Sequence, residues 1–417
     1  ITDPLDSIIT GVTDTSGSEP TNICDDPPTS GLVKLCEHTY VLGRMSRQTP
    51  VYDISRGTRL ANRGEHTDFQ IFGAPNHVGG GPGMFAPTLG IDMGAAANTE
   101  VGKIMLAYTV AWARDFARKI YTGNPATGNT AGGGYKEFYG LDILINTGYR
   151  DAVTGTACPA ADSIIRSFGN VNVTTSPTNI VAAVTSTYFE LLTKAATTNL
   201  MPVDWVLAMP LSLFYEITRV WPCSYLTDGC VLSGNNTNFV NSGDQIKMRD
   251  EMRGDLATRS GQFLWVMGRK LPVILDDSIT ETRVGGDIFS APIYFVPLTV
   301  LGGQPVTFIE YLNYNSIGVD KGIAAFSPQG FFRITDNGRF LMAMKAPSNW
   351  CVQILGLTEP RIKVQTPYLA ARITGVGYSH LPNVPSGFPD QTSYYRDGGS
   401  VNYTGYPWGP SWNSPTA

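Results

Sequence analysis

The chain has 417 residues and a net charge of −5, with only 16% charged residues, 45 glycines and 28 prolines. Its length allows two or three domains with a large core, while its acidic balance argues against a dedicated nucleic-acid-binding protein, which needs clustered Lys and Arg. No apolar run is long enough to cross a membrane, and no secretory signal is visible. Because interface cores are depleted in charge, this composition favours a chain covered by other subunits, although an extracellular β-rich enzyme would show a similar balance.

The first part of the chain is predicted to be extended. Residues 1–50 carry many Asp, Pro, Thr and Ser without a sustained apolar period, which indicates an arm rather than a folded unit. Alternating polar and apolar residues in 51–90, broken by glycine-rich segments, predict a long two-stranded excursion. The arginines at its tip, Arg56, Arg59 and Arg63, form either a solvated turn or a contact with an acidic neighbour.

A long amphipathic helix is predicted over residues 98–122. Its apolar residues recur at spacings of three and four, which places them on one helix face: Val101, Ile104, Met105, Tyr108, Trp112, Phe116 and Ile120. Asn98 or Thr99 can cap its start, and residues 122–125 end it. At ~1.5 Å per residue such a helix is about 35 Å long, which suits a spine. The glycine-punctuated sequence that follows, up to Gly155, is predicted to form a hairpin.

The middle of the chain mixes helical and strand patterns. Apolar periodicity predicts helices in 179–199 and 211–221. Between them, residues 203–209 form a short apolar run that is predicted to be a strand ending at Pro210. We therefore expect mixed α and β structure in this region.

The last third is predicted to be mainly β. A hairpin is predicted around Gly268, with Pro272 starting its second strand, and the same pattern recurs over residues 291–314. Residues 339–373 are strand-rich. The tail beyond His380 contains Pro, Gly and many aromatic residues.

The cysteines are predicted to be free thiols of a cytosolic protein, which is the usual state in a chain of this size. There are six: Cys24, Cys36, Cys158, Cys223, Cys230 and Cys351. None forms a CxxC motif, so neither a zinc ribbon nor a thioredoxin motif is present. Cys223 and Cys230 could bridge a short loop, and the disulfide state of Cys24, Cys36, Cys223 and Cys230 stays open at this point.

The sequence carries no constellation of catalytic residues. It lacks the G-x-S-x-G elbow, the H-E-x-x-H zinc motif and a glycine-rich run followed by Lys-Ser or Lys-Thr. His38 and His66 are interpreted as ordinary loop histidines. The adjacent carboxylates Asp25–Asp26 and Asp276–Asp277 point opposite ways on an extended chain. We therefore predict that the protein is not an enzyme and has no catalytic, cofactor-binding or metal site and no cofactor.

Six segments stand out by their order and spacing along the chain. They are GLVKLCEHTYVLGRMSRQTPVYDI, AWARDFARKIYTGNPATG, EFYGLDILINTGYRDAVTGTACPAADS, PVDWVLAMPLSLFYEI, GRKLPVILDDSI and RIKVQTPYLAARITGV. Together they resemble the major capsid proteins of tailed bacteriophages, the Hong Kong 97-type fold shared with encapsulin nanocompartments. In this family an arm leads to an extended loop, a spine helix, a peripheral-domain hairpin, an axial domain and return strands. The match runs over nearly the whole chain.

The resemblance implies an α+β fold with six parts. They are an N-terminal arm (1–50), an extended loop (51–95), a peripheral domain with the spine helix (96–160), an axial domain (161–338), peripheral return strands (339–380) and a C-terminal aromatic, Pro- and Gly-rich tail (381–417). The tail is either disordered or wraps a neighbour through its large aromatic residues: Tyr394, Tyr395, Tyr403, Tyr406, Trp408 and Trp412.

The resemblance further implies a structural protein of the virion. Hexamers and pentamers would tile an icosahedral shell around double-stranded DNA after assembly in the host cytoplasm, with portal, scaffold, decoration or cement proteins as candidate partners, weak non-specific DNA contact and no membrane contact. The start at Ile1 fits protease trimming of a precursor or a boundary of the sequence. The alternatives are an encapsulin-type nanocompartment shell and an extracellular β-rich hydrolase.

One departure from the family concerns covalent cross-linking. Some members join neighbouring subunits through a lysine on the extended loop. No lysine occurs here between Lys34 and Lys103. An isopeptide from residues 51–90 is therefore not expected, and shell stability would depend on non-covalent burial.

Overall fold

The computed structural model describes residues 6–12, 33–48, 52–53, 100–128, 137–226, 243–285, 288–314, 330–335, 339–348 and 351–379. The helices are α1 (Glu100–Thr122), α2 (Pro125–Gly128), α3 (Leu141–Leu144), α4 (Pro177–Thr197), α5 (Leu211–Leu226) and α6 (Gly243–Arg253). They are accompanied by both parallel and antiparallel strand pairs. The predicted α+β fold class is therefore confirmed.

The strands are numbered in chain order. They are β1 (Asp6–Val12), β2 (Val33–His38), β3 (Met45–Gln48), β4 (Tyr52–Asp53), β5 (Ile164–Ser167), β6 (Val203–Met209), β7 (Phe263–Val266), β8 (Arg269–Leu275), β9 (Thr282–Gly285), β10 (Ile288–Val300), β11 (Gln304–Pro305), β12 (Thr307–Tyr311), β13 (Gly330–Thr335), β14 (Phe340–Ser348), β15 (Cys351–Thr358), β16 (Pro360–Val364) and β17 (Ala371–Ser379).

The chain divides into two compact units, each built from two separate parts of the sequence. Unit 1 comprises Ile1–Ala161 and Pro305–Pro367, and unit 2 comprises Asp162–Gln304 and Tyr368–Ala417. The predicted six-part division has its boundaries at residues 50, 95, 160, 338 and 380 instead, and its arm, loop, peripheral and axial assignments stay predictions.

Unit 1 contains three small sheets and α1. Its largest sheet has the order β13-β14-β15-β3, with β4 also pairing with β15. β12 pairs with β16, and β1 pairs with β2. The predicted arm thus contains a ladder, with Ile8 opposite Cys36. In the segment GLVKLCEHTYVLGRMSRQTPVYDI, which the resemblance places at the start of the extended loop, β3 and β4 both pair with β15.

Unit 2 is a mixed sheet with helices. The sheet order is β5-β17-β10-β6-β8-β7, and β9 adds to β10. β10 is apolar along most of its length and lies in the middle of the sheet, where both of its faces are largely buried. The indole N–H of Trp205 on β6 donates to the Leu369 carbonyl at 2.8 Å, and its ring packs edge-on against Tyr188 of α4. These contacts place the core between the sheet and the helices.

The elements predicted for unit 2 are present with two corrections. Pro272 does not start β8 but lies inside it, opposite Phe263. Pairing with β7 ends at this residue and pairing with β6 begins at Val273, so Pro272 lies at the margin of both ladders. Over 291–314, β10 and the two-residue strand β11 pair with each other, whereas β12 pairs with β16.

Candidate functional site

The spine helix α1 packs against the largest sheet of unit 1, β13-β14-β15-β3, through one aromatic side chain. The Trp112 ring packs against Phe340 of β14, with ring centroids 4.5 Å apart. It also covers Gly356 of β15, where an added Cβ would lie 2.7 Å from Trp112 Cζ3. One turn further on, Phe116 packs against Phe138 at a centroid distance of 6.0 Å. The predicted apolar stripe is thus confirmed at Trp112 and Phe116, while the side chains at 101–108 lie outside the described residues.

The opposite side of α1 is exposed over its described second half. Val110 is 41% exposed, and Arg114 and Arg118 are exposed one turn apart, whereas Ile120 is half-buried. Among the described residues, α1 therefore has one face on protein and one exposed face.

Salt bridges and a hydrogen bond join α1 to β3 and to the segment that begins at Glu137. Asp115 pairs with Arg47 of β3 and, at 3.4 Å, with Lys119 one turn later on the helix. The backbone N–H of Asn124 donates to Glu137 at 3.0 Å, and Lys119 lies 3.9 Å from the same carboxylate. The C-terminal turn of the helix is therefore tied to the segment that follows the undescribed residues 129–136.

Gly356→Ala is expected to lower the free energy of unfolding by about 1–3 kcal/mol, because its methyl group would overlap the Trp112 indole and strain the seat of α1. Urea unfolding followed by tryptophan fluorescence measures the loss. Gly285→Ala is the matched control, since nothing lies within 4 Å of an added Cβ there. Equal stability of the two variants would contradict the close contact between Trp112 and Gly356.

In the described residues after α1, the predicted hairpin is replaced at 141–144 by the short helix α3. An antiparallel bridge joins Arg150 to Ala157 further on. The loop is instead organised by Asp151, whose Oδ1 accepts hydrogen bonds from the N–H groups of Val153 and Thr154 and from the Thr154 hydroxyl. Side-chain bonds of this kind compete with strand pairing and close a turn locally.

Asp151 also fastens this loop to the N-terminal arm. Its Oδ2 accepts the Glu37 N–H at 3.0 Å, and the Ala152 N–H donates to the Glu37 carbonyl at 2.7 Å. The Glu37 N–H, followed by the N–H and hydroxyl of Thr154, lowers the pKa of the Asp151 carboxyl to about 2. The carboxylate is thus ionised at physiological pH.

A disulfide joins the same two segments. Cys36 on β2 and Cys158 are bonded, with their Cα atoms 6.4 Å apart. The predicted free thiols are therefore wrong for this pair. The error has a physical cause: the residues are 122 positions apart in sequence, and the contacts of Glu37 with Asp151 and Ala152 that hold their segments together are long-range. Cys24 and Cys230 lie outside the described residues.

Other residues singled out in the sequence occupy structural positions. His38 is not in a loop but ends β2, where its ring packs against Tyr40 and Tyr149 at centroid distances of 4.9 and 5.4 Å. Asp277 pairs with Arg259, whereas Asp276 accepts the Ser278 N–H at 2.9 Å, so the two adjacent carboxylates contact different groups.

Several predictions fall on residues that the structure does not describe. They concern His66, the pair Asp25–Asp26, the arginines of the extended loop and the aromatic tail. In the described part of the chain, no helix is both long and apolar enough to cross a membrane. The absence of catalytic and cofactor sites stays a prediction.

Comparison with known proteins finds similar solved structures but no match in sequence. No family model and no curated protein matches the chain. The capsid asymmetric unit of cyanophage A-1(L) is similar at 11% identity and a TM-score of 0.47, over 89% of this chain and 88% of that chain. The capsid of Ralstonia phage GP4 is similar at 11% identity and a TM-score of 0.39, over 92% and 85%.

An encapsulin is among these structures too. The holo-SrpI encapsulin complex of Synechococcus elongatus is similar at 10% identity and a TM-score of 0.39, over 85% of this chain and 80% of that chain.

Proposed function

We propose that this chain is the major capsid protein of a tailed bacteriophage, assembling as hexamers and pentamers into an icosahedral shell that encloses double-stranded DNA. The observation that carries the proposal is the path of the chain. The chain builds the β1–β2 ladder, β3, β4 and α1 in unit 1, forms unit 2 from residue 162, returns to unit 1 at β13–β15, and rejoins unit 2 at β17. An arm, a long helix, a second unit and return strands in this order support the proposal.

The spine helix suits the mechanical work of a shell subunit. It is 23 residues long and is held at Trp112 by the sheet and at Asp115 by Arg47, while the described part of its other face is exposed. A helix fixed in this way keeps its direction under load and offers a surface to a neighbouring subunit. Ring contacts between such subunits are head-to-tail, and rotation closes them into capsomers.

The chain is proposed to contact other virion components as well as copies of itself. The acidic chain would make few strong contacts with packaged DNA. Portal, scaffold, decoration and cement proteins are the expected partners in the virion, and assembly would take place in the host cytoplasm. Chemistry on a substrate is not part of the proposed function.

Electron microscopy of the purified full chain tests the proposal. Closed shells, or rings of five and six subunits, are the expected result, and analytical ultracentrifugation of the same sample measures how much protein is assembled. A monodisperse monomer across protein concentrations and salt conditions would overturn it. Particles from infected cells that contain double-stranded DNA would support the capsid assignment, whereas shells filled with a cargo enzyme would overturn it in favour of an encapsulin.

A further inference from the structure

We propose that Cys36 and Cys158, when reduced, form with Asp151 a binding site for a soft divalent cation such as Zn²⁺. Within the described residues, the two sulfur atoms and a carboxylate oxygen of these side chains all lie within 4.8 Å of one another, close enough to share one metal ion. The sequence predicted no metal site because the residues share no motif and meet only in the fold. The inference is independent of the proposed capsid function.

The site is held together by more than the disulfide. The Glu37 N–H donates to Asp151 Oδ2, and the Ala152 N–H donates to the Glu37 carbonyl, so β2 and the loop are joined by two hydrogen bonds beside the cysteines. The Cys158 N–H donates to the Tyr149 carbonyl at 2.8 Å, which fixes the other end of the loop. Reduction therefore leaves the two sulfurs and the carboxylate as neighbours.

The donor set fits a soft cation. Two thiolates and one carboxylate match the three protein ligands of an open tetrahedral zinc site, with water in the fourth position. Zn–S bonds of about 2.3 Å and Zn–O bonds of about 2.0–2.2 Å require the two sulfurs to move apart from bonding distance while the carboxylate stays near. Each carboxylate oxygen has two lone pairs, so Oδ2 can keep the Glu37 hydrogen bond and bind a cation. Mg²⁺ and Ca²⁺ prefer oxygen ligands and are not expected there.

Reduction of the disulfide and binding of the metal do not change the oxidation state of the metal. Two molecules of a small thiol are oxidised to one disulfide, while the Cys36–Cys158 bond is reduced to two thiols. Binding of the cation forms two metal–sulfur bonds and releases two protons. In a reducing cytoplasm a metal bridge would thus link β2 to the loop, and in an oxidising medium the disulfide would do so.

Cobalt titration of the full chain tests the site. The protein is reduced with a phosphine, which adds no competing thiol, and Co²⁺ is added without any other metal. The expected result is a sulfur-to-cobalt charge-transfer band that saturates at one equivalent and disappears when Zn²⁺ is added. Cys36→Ser/Cys158→Ser should abolish the band, whereas the matched pair Cys223→Ser/Cys351→Ser should retain it. Asp151→Asn should weaken Co²⁺ binding about tenfold or more.

A second measurement keeps the proposal testable if the double serine variant does not fold. The wild-type protein with its disulfide intact should show no band, and Zn²⁺ should raise the melting temperature of the reduced protein but not that of the oxidised one. No band at one equivalent in the reduced protein would overturn the proposal. So would a band of equal size in the oxidised protein or in Cys36→Ser/Cys158→Ser.

Discussion

Cys36→Ala/Cys158→Ala is expected to lower the free energy of unfolding of the oxidised protein by about 4 kcal/mol in the presence of a chelator. The bond links residues 122 positions apart, and a cross-link over so long a loop removes much conformational entropy from the unfolded chain. Urea unfolding followed by far-ultraviolet circular dichroism measures the effect through the midpoint and slope.

The control for this prediction is the same comparison under reduction. With a phosphine and a chelator present, neither protein has the cross-link, so wild type and variant should unfold at similar urea concentrations. An equal loss of stability with and without reduction would contradict the prediction, because it would assign the effect to lost packing of the buried Cys36 side chain. Addition of Zn²⁺ without a chelator should restore stability to the reduced wild type alone.

The parts of the fold that the sequence predicts correctly are those fixed by local periodicity. The spine helix is an example: Trp112 and Phe116 lie four residues apart and face the protein, and the helix ends at Thr122, before Gly123 and Pro125. Helical spacing and the end of a helix depend on neighbouring residues, so they can be read from one segment. The apolar strand β6 is predicted for the same reason.

The segment after α1 is a region where the pattern of neighbouring residues did not predict the structure correctly. Its glycines suggested turns between strands, but the apolar residues of 141–144 form a helical turn with Leu141 and Leu144 buried. The decisive residue is Asp151, whose side chain binds the backbone two and three residues on. An Asp followed by Thr154 and Gly155 is a turn pattern that could have been recognised, since Asp favours such turns.

The contacts that define the candidate metal site could not be predicted at all. Cys36 and Cys158 lie side by side because the Glu37 backbone binds Asp151 and Ala152 of the loop, and these are long-range contacts. Pairing partners of strands are equally invisible in one segment, as the separation of β10 from β12 illustrates. Periodicity tells which face of a strand is apolar but not which strand lies beside it.

Glu216→Gln is expected to remove a pH-dependent destabilisation of unit 2. The Glu216 side chain on α5 is fully buried, and in the described part of the chain neither carboxylate oxygen has a hydrogen-bond partner. Its nearest charge is Arg219, at 3.8 Å. Burial raises the pKa of Glu216 from 4.5 to about 7, although the charges of Arg219 and Arg253 act against this shift.

The raised pKa fixes the direction of the effect. Protonated Glu216 contributes its full stabilisation below the unfolded pKa of 4.5, and this is lost as the pH rises through about 7. At 1.36 kcal/mol per pKa unit, ionisation costs the wild type about 3 kcal/mol by pH 8. Glutamine cannot ionise, so the unfolding free energy of the variant should gain about this amount relative to wild type between pH 5 and 8.

Urea unfolding at several pH values between 4.5 and 8.5 measures the difference between wild type and Glu216→Gln. Glu251→Gln is the matched control, because Glu251 lies on the neighbouring helix α6 and pairs with Lys270 at 2.6 Å in an exposed position. Its curve should run parallel to that of the wild type, since an exposed pair adds little to stability. If the Glu216→Gln curve also runs parallel to wild type, the carboxyl has its ordinary pKa in the folded protein and the assigned burial is wrong.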